Sequence, residues 1–260
     1  MKKFYKKVLS LSGRASADYK MIEPGDRLLA GLSGGVDSLL LLHVLHDLRR
    51  RAPFDFEIIA VTFDPGFEGF NATPLAAYAG EHNWRHETVC RNVEAILCEL
   101  DATRRPCAMC SRIRRGRLQE AMAKHNCNKL VLGQHLDDIA ASFLISFFRG
   151  QGVTTMGPNV PGNSGRCRII RPLCYVTKEQ ILAAAENFDF PECGKCVFDK
   201  YLKETGDRAW AEELINRIEA DRIGGVRQAM LTSLQNVETE FLLDRSLLQL
   251  PSKSDSSAMK

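Results

Sequence analysis

The chain has 260 residues, of which 45% are hydrophobic and 26% are charged, and its formal net charge at pH 7 is +3. These values are ordinary for a soluble globular protein and suit one large domain, with or without appendages. No apolar run approaches the length of a transmembrane helix, and the basic start leads into polar sequence rather than a signal-peptide core. We therefore expect a cytoplasmic protein that does not bind membranes.

Predicted strands alternate with predicted helices along most of the chain. A basic helical lead-in covers residues 1–20, and the alternation that follows predicts an α/β fold with a doubly wound parallel sheet over residues 21–200. Two further helices, split near Gly224 and Gly225, predict a helical C-terminal extension over 201–250, and residues 251–260 are predicted to be a disordered tail. The strands are predicted at 27–32, 57–63, 86–90, 129–133 and 168–172, and the helices of the sheet domain from 36 onwards and at 74–83, 107–126, 135–148 and 177–188.

Two of these helices carry specific signals. The helix over 135–148 has an apolar stripe at Ile139, Phe143 and Phe147, which predicts a face buried in the core. Thr177 and Gln180 have the spacing of a capping box and predict a helix start. The glycine-rich segment over 150–168 between them is predicted to be irregular.

The stretch from Ser33 to Ser38, Ser-Gly-Gly-Val-Asp-Ser, lies between the first predicted strand and a helix. Two adjacent glycines allow the backbone N–H groups to approach an anion, and the helix start adds unsatisfied donors and the positive end of a dipole. Ser33 and Ser38 can donate hydroxyl groups, and Asp37 could hold a metal-bound phosphate. The stretch is neither a Walker A loop nor a G-x-G-x-x-G fingerprint. It predicts a phosphate site, with a simple connecting turn as the alternative.

Two more ligand-binding segments follow predicted strands. Asp64-Pro-Gly-Phe67 lies at the carboxyl end of the second strand, where ligands collect in parallel sheets, so it is a candidate for the base and ribose of a nucleotide. An ordinary turn explains it equally well. Gly133 permits close approach to a ligand, and Asp137 and Asp138 can cap the next helix or bind Mg²⁺.

Two C-x-x-C pairs predict a shared metal centre. The first is Cys107 with Cys110, and the second is Cys193 with Cys196. Both a structural zinc ion and an iron–sulfur cluster use thiolates, and the spacing does not separate them. The nine cysteines of the chain are an odd number, which argues against a complete disulfide set. The other five are predicted to be buried and inert: Cys90, Cys98, Cys127, Cys167 and Cys174.

Basic residues are clustered, although the net charge is small. One cluster alone is usually a solvated surface, but three in a chain that binds phosphate favour a polyanionic partner. The clusters are Lys2, Lys3, Lys6 and Lys7, then Arg49, Arg50 and Arg51, and then Arg104, Arg105, Arg112, Arg114, Arg115 and Arg117.

The combined motifs resemble a known family. Ser-Gly-Gly-x-Asp-Ser is similar to the PP-loop of ATP pyrophosphatases, which cleave ATP to AMP and pyrophosphate while they adenylate a substrate. Four further motifs narrow the resemblance to the TtcA-type tRNA 2-thiocytidine synthetases, and it extends from about Ser16 to Cys196. Those motifs are the arginine-rich stretch Pro106 to Gly116, Gly-x-His-x-Asp-Asp from Gly133 to Asp138, Arg-Pro-Leu-x-Tyr-Val from Arg171 to Val176, and the second cysteine pair.

The resemblance implies a set of site residues. Three cysteines of that family bind a 4Fe–4S cluster, which implies Cys107, Cys110 and Cys193 here, with Cys196 as a non-ligand or an accessory thiol. Related thiolases place a cation four residues after the second cysteine, which implies Arg114. The chain departs from the family by having Val36 where lysine is common and Gln134-His135 where His-His is common. The implied nucleotide-binding residues are Leu32, Ser33, Gly34, Gly35, Asp37, Ser38, Phe63, Gly133 and Asp138, and the implied catalytic residues are Asp37, Asp138 and Arg114.

The resemblance also implies a reaction. The C2 oxygen of an anticodon-loop cytidine attacks the α-phosphate of ATP, held with Mg²⁺, and a sulfur species bound at the open iron of the cluster then displaces AMP. The implied partners are tRNA and a sulfur donor such as a cysteine desulfurase, and a homodimer is compatible with the sequence. Two alternatives stay open: a PP-loop enzyme that thiolates or amidates another substrate and holds zinc, and a nucleotide-binding sensor without turnover.

Overall fold

A sheet of six strands organises the described part of the chain in the order β3-β2-β1-β4-β6-β5. The computed structural model describes residues 3–99, 106–162, 165, 167–194, 206–221 and 224–243. The strands are β1 (Arg27–Gly31), β2 (Glu57–Asp64), β3 (His86–Cys90), β4 (Lys129–Val131), β5 (Asn159–Pro161) and β6 (Arg168–Ile170). The helices are α1 (Lys3–Asp18), α2 (Val36–Arg51), α3 (Thr73–Glu81), α4 (Val93–Glu99), α5 (Pro106–Lys124), α6 (Leu136–Phe148), α7 (Lys178–Ala185), α8 (Asp207–Asp221) and α9 (Val226–Gln235), with a 3-10 turn at Thr239–Phe241.

The strand order confirms the predicted doubly wound α/β fold. β1, β2, β3, β4 and β6 are parallel, and the order reverses direction between β1 and β4. Ligands of such sheets bind outside the carboxyl ends of the strands at this switch point. The segment predicted to be irregular contains β5, which pairs antiparallel with β6 at the sheet edge. Pro161 is tolerated there because an edge strand has one side free of ladder hydrogen bonds.

Alternation along the strands divides the core into two layers. Leu28 and Ala30 of β1 face the layer that contains α1, α2 and α7, whereas Leu29 faces α5. This period of two lets a short central strand bury both of its faces. The long apolar run of α2 is buried because the helix lies between the sheet and the neighbouring helices α1 and α7.

Two burial predictions are wrong. The stripe of α6 was predicted to be core, and Ile139 is indeed 2% exposed, but Phe147, in the last turn of α6, is 53% exposed. Cys90, predicted to be a buried thiol, is exposed at the end of edge strand β3, whereas Cys174 is fully buried and burial raises its pKa to about 12.

The predicted division into residues 1–20, 21–200, 201–250 and 251–260 stays a prediction, and its last segment lies outside the described residues. No helix among those described is long and apolar enough to cross a membrane.

Stability is expected to fall at mildly acidic pH because of two histidines of α2. Burial lowers the pKa of His43 and of His46 from 6.5 to about 4, and neighbouring positive groups add to burial more than Asp47 opposes it. A histidine whose pKa is lower in the folded state binds fewer protons there. The contribution of each neutral histidine to the free energy of unfolding is therefore complete above pH 6.5 and is lost as the pH falls towards 4.

His46→Phe should reduce this loss. Phenylalanine can keep the stacking on Trp84, whose ring centroid lies 4.5 Å from that of His46, but it cannot be protonated. Urea-unfolding midpoints between pH 7 and 4 measure the effect, and wild-type protein in the same buffers is the control. Equal pH slopes for the two proteins would contradict the prediction.

Candidate functional site

The glycine-rich loop between β1 and α2 forms a hydroxyl-lined turn at the switch point. The Ser38 hydroxyl accepts a hydrogen bond from the Ser33 N–H (3.1 Å) and donates one to the Gly35 carbonyl (2.8 Å). The Ser33 hydroxyl lies 3.1 Å from that of Ser38. The loop thus presents two hydroxyl groups at the start of α2, where the first N–H groups have no helical partner.

Gly34 of this loop lies next to the side chain of a cysteine. Its φ of 82° lies in the left-handed region, which favours glycine. A β-carbon at this position would lie 3.0 Å from Cys193 Sγ and 3.1 Å from Cys193 Cβ. Cys193 is held there by its own carbonyl, which accepts a hydrogen bond from the Asn71 N–H at 2.9 Å. The thiol of Cys193 therefore borders the predicted phosphate site.

Gly133, after β4, closes the other side of the switch point. A β-carbon on Gly133 would lie 3.3 Å from the carbonyl of Asp37 and 3.3 Å from the backbone nitrogen of Ser38. This contact is tighter than a side chain normally allows, so glycine lets the end of β4 approach the first turn of α2. The two predicted nucleotide-binding motifs are therefore in direct contact.

The first turns of α2, α6 and α7 meet at one place. Lys178, the first residue of α7, donates its ammonium to Asp37 Oδ1 of α2 at 2.5 Å. Its backbone N–H donates to Asp137 Oδ2 of α6 at 2.8 Å. Three helix starts add their positive dipole ends to this point, which favours an anion such as a polyphosphate.

Asp137 and Asp138 are buried at the start of α6. Asp138 accepts a hydrogen bond from the backbone N–H of His135 (2.9 Å), as predicted for a cap. Burial raises the pKa of Asp137, but hydrogen bonds from His135 and from the Lys178 N–H, with the charge of Arg227, outweigh burial and bring the pKa to about 2. Asp137 is therefore a carboxylate at any physiological pH.

Two arginines of the C-terminal helices pair with these aspartates. Arg227 Nε of α9 lies 2.7 Å from Asp137 Oδ1, and the Arg208 guanidinium of α8 forms an ion pair with Asp138 Oδ1. Burial lowers the pKa of Arg208, but Asp138 and Glu212 raise it more, so the group stays charged. The C-terminal helices therefore contribute cations to the site.

The first cysteine pair lies on the first turn of α5, and its Cys110 packs against the loop that follows β2. Cys110 is buried with Phe63 and Phe67, and Arg114 Nη2 lies 4.0 Å from its sulfur. Cys107 is half-buried. The same loop reaches the other cysteine segment, because Phe70 pairs with Gly194 in an isolated β-bridge. The loop after β2 therefore contacts both cysteine-bearing segments.

Each predicted site residue within the described part of the chain can now be located. Leu32 and Phe63 are buried at the ends of β1 and β2. Ser33, Gly34, Gly35, Asp37, Ser38 and Gly133 form one contiguous surface, with Asp138 at the neighbouring helix start. Within the described residues, no group of three His, Cys, Asp or Glu side chains stands close enough to hold a single metal ion. Cys196 lies outside those residues.

Sequence reasoning missed the cations at this site. Lys178 could have been found, because the capping box correctly places a helix start at Thr177, after the strand that neighbours β4. No sequence signal pointed to Arg208 or Arg227, since both reach the site from helices that follow the sheet.

Known proteins are similar to this chain over most of its length. A family model described as a PP-loop domain matches residues 4–191. The tRNA-cytidine(32) 2-sulfurtransferase of Geobacter metallireducens is 37% identical over 249 residues, which cover 94% of this chain and 95% of that protein. That of Syntrophotalea carbinolica is 35% identical and covers 94% of both chains.

A solved structure has the same fold. The U34-tRNA thiolase NcsA from Methanococcus maripaludis, solved with its [4Fe-4S] cluster, matches with a TM-score of 0.68 at 19% identity, over 90% of this chain and 81% of that one. The PP-loop match over most of the chain and the relatives above 30% identity together define the family. The chain belongs to the tRNA-cytidine(32) 2-sulfurtransferase family of PP-loop proteins.

Proposed function

We propose that this protein is an ATP-dependent tRNA sulfurtransferase that converts a cytidine of the anticodon loop into 2-thiocytidine. One observation carries the proposal: Cys193 Sγ borders Gly34 of the PP-loop, so a thiol lies beside the loop that we propose binds ATP. A PP-loop enzyme that only adenylates its substrate has no need for a cysteine at that position. The names of the relatives supply the substrate class.

The glycine-rich loop is proposed to hold the pyrophosphate of ATP. Its backbone N–H groups, the hydroxyls of Ser33 and Ser38, and the start of α2 offer donors to phosphate oxygens. Lys178 is proposed to neutralise charge on the leaving pyrophosphate, since its ammonium already lies at Asp37. Preorganised cations at developing negative charge are a strong source of rate acceleration.

Asp37 and Asp138 are proposed to bind Mg²⁺ with the phosphates. Both are carboxylates, which Mg²⁺ prefers, and both lie at helix starts that converge on the switch point. Each is paired with a cation in this structure, Asp37 with Lys178 and Asp138 with Arg208. Binding of ATP with Mg²⁺ would exchange these ion pairs for contacts between the metal and the carboxylates, and release both cations towards the phosphates.

Cys107, Cys110 and Cys193 are proposed to hold a 4Fe–4S cluster. The donor set fits, because Cys110 packs against the loop after β2 and the segment of Cys193 contacts the same loop, and each cysteine would bind a different iron rather than share one ion. When bound, the cluster would supply an iron with an open position for sulfur. Arg114 Nη2, 4.0 Å from the Cys110 sulfur, would place a positive charge beside the cluster.

The chemistry at the substrate is proposed to take two steps. The C2 oxygen of cytidine attacks the α-phosphorus of ATP, and pyrophosphate leaves. Sulfide-level sulfur, supplied by a donor such as a cysteine desulfurase together with a two-electron reductant of its persulfide, then attacks C2, and AMP departs with the former C2 oxygen. The cytidine must leave its stack to reach the site, and the tRNA would be gripped through its phosphates by the basic clusters. We propose that the reaction takes place in the cytoplasm and that the protein acts as a homodimer.

Pyrophosphate release that depends on tRNA tests this function. Protein purified without oxygen is expected to release pyrophosphate only when ATP, Mg²⁺ and unthiolated tRNA are all present, and Asp37→Asn is expected to lower the rate by about 100-fold. Mass spectrometry of the tRNA nucleosides after addition of a sulfur donor should detect 2-thiocytidine.

A matched control is Asp55→Asn, which changes a carboxylate outside the site and should leave both readouts unchanged. ATP binding without tRNA-dependent pyrophosphate release would indicate a nucleotide sensor and contradict the proposal. Thiolation of another nucleoside would contradict the assigned base.

A further inference from the structure

A chain of aromatic rings is exposed at the far end of α6. Phe147 and Phe148 of α6 and Trp210 of α8 are 53%, 60% and 48% exposed. The ring centroids of Phe143 and Phe147 are 5.8 Å apart, those of Phe147 and Phe148 are 5.6 Å apart, and those of Phe148 and Trp210 are 5.7 Å apart. We call these four residues the aromatic ridge. Single exposed apolar side chains are ordinary, but a contiguous row of rings marks an interaction site.

The aromatic ridge is connected to the candidate active site by two rigid elements. α6 begins at the buried aspartates and ends at Phe148, and ten residues of helix span about 15 Å from Asp138 to Phe148. α8 carries Arg208, which pairs with Asp138, and Trp210 follows two residues later. The distance of about 15 Å equals that spanned by a few nucleotides of a single strand.

Guanidinium groups accompany the rings. Arg149 follows Phe148 and pairs with Asp207 at 2.6 Å, and Arg208 pairs with Glu212 at 2.9 Å as well as with Asp138. Their side chains remain 55% and 58% exposed, so both can also reach a phosphate. Aromatic rings beside arginines are the usual surface for single-stranded RNA, because bases stack on rings and phosphates pair with guanidinium groups.

A second copy of the chain fits this surface less well. Three half-exposed aromatic side chains offer about 300 Å² of apolar area, whereas a stable interface buries about 800 Å² on each partner.

We propose that the aromatic ridge stacks unpaired bases of the tRNA loop next to the cytidine that enters the active site. This inference rests on the proposed function and adds the surface that recognises the substrate. Stacking on the ridge requires base faces that are exposed, so the ridge favours a single-stranded loop over a duplex. Stacking does not depend on the identity of the base, so the ridge does not select a sequence.

Affinity for an unmodified tRNA transcript tests the ridge separately from catalysis. The double variant Phe148→Ala/Trp210→Ala is expected to bind the transcript about 10- to 100-fold more weakly, and Trp210→Phe should retain binding because it keeps a ring. Affinity for an RNA duplex of the same length should not change. Phe241→Ala removes an exposed ring, 80% exposed, from the 3-10 turn after α9 and is the matched control, because no proposed binding residue lies there.

Circular dichroism and light scattering on the same samples complete the test. If wild-type protein binds the tRNA and folded ridge variants bind it equally well, the proposal for the aromatic ridge is overturned and the proposed function is not. Wild-type protein that does not bind tRNA would overturn the proposed function and the ridge together. A ridge variant that loses a dimer but retains tRNA affinity would assign the surface to a second copy and also overturn the proposal.

Discussion

Gly34→Ala is expected to abolish tRNA-dependent pyrophosphate release and to lower the iron and acid-labile sulfide content of the protein. The new β-carbon would lie 3.0 Å from Cys193 Sγ, on a backbone with a φ of 82°. Because the backbone of the Cys193 segment is held by Asn71 and by the bridge to Phe70, the Cys193 β-carbon, which would lie 3.1 Å from the new methyl group, has little room to move away. One methyl group should therefore disturb the phosphate site and the cysteine site together. Pyrophosphate release and iron and sulfide analysis of anaerobically purified protein measure both effects.

Gly25→Ala is the matched control for this variant. Gly25 has nearly the same φ, 81°, but a β-carbon there meets nothing within 4 Å. Both variants carry the strain of alanine in the left-handed region, about 1–2 kcal/mol, so the difference between them comes from what surrounds the new β-carbon in the phosphate loop, chiefly Cys193. Equal activity and equal iron content for the two variants would show that the Cys193 contact does not matter. Wild-type protein that holds zinc without sulfide would contradict the cluster.

Lys178→Met is expected to lower the rate of pyrophosphate release by about 100-fold, since one preorganised cation at a charged transition state contributes on that order. Methionine retains the unbranched stem but lacks the ammonium that contacts Asp37 Oδ1. ATP affinity, measured by calorimetry, should fall less than the rate if the lysine acts mainly on the leaving pyrophosphate. Lys178→Arg retains the charge and should recover part of the rate.

Lys124→Met controls for the loss of a lysine ion pair as such. Lys124 of α5 lies 2.7 Å from Glu87 of β3, outside the site. An ion pair at the protein surface contributes little to stability. This variant should retain the wild-type rate. A Lys178→Met protein that is folded and equally fast would remove Lys178 from the mechanism and leave Asp37 to be explained by metal binding alone.

The phosphate loop and the capping box of the site could be predicted from the sequence. Two adjacent glycines after an apolar strand predict a phosphate loop because no other residue type frees the backbone in this way, and the loop is found at the switch point of the sheet. Thr177 and Gln180 predict a capping box, and both of its hydrogen bonds are present. These signals are local, so they do not depend on how distant segments pair.

Contacts between distant segments were decided by the tertiary structure alone. Lys178 meets Asp37 across 141 positions of sequence, because β4 and β6 lie on one side of β1 while β2 and β3 lie on the other. Cys193 reaches Gly34 only because the loop after β2 holds it there.

The exposure of Phe147 has the same origin. Helical periodicity predicted which face of α6 is apolar, but the packing of neighbouring segments decides how much of that face is buried. By itself, therefore, the sequence determined the parallel α/β fold, the phosphate loop, the cysteine pairs and the family resemblance. The folded chain decided which cations meet the aspartates, which cysteine borders the loop and which rings remain exposed, because each of these depends on strand order and packing, which no local pattern encodes.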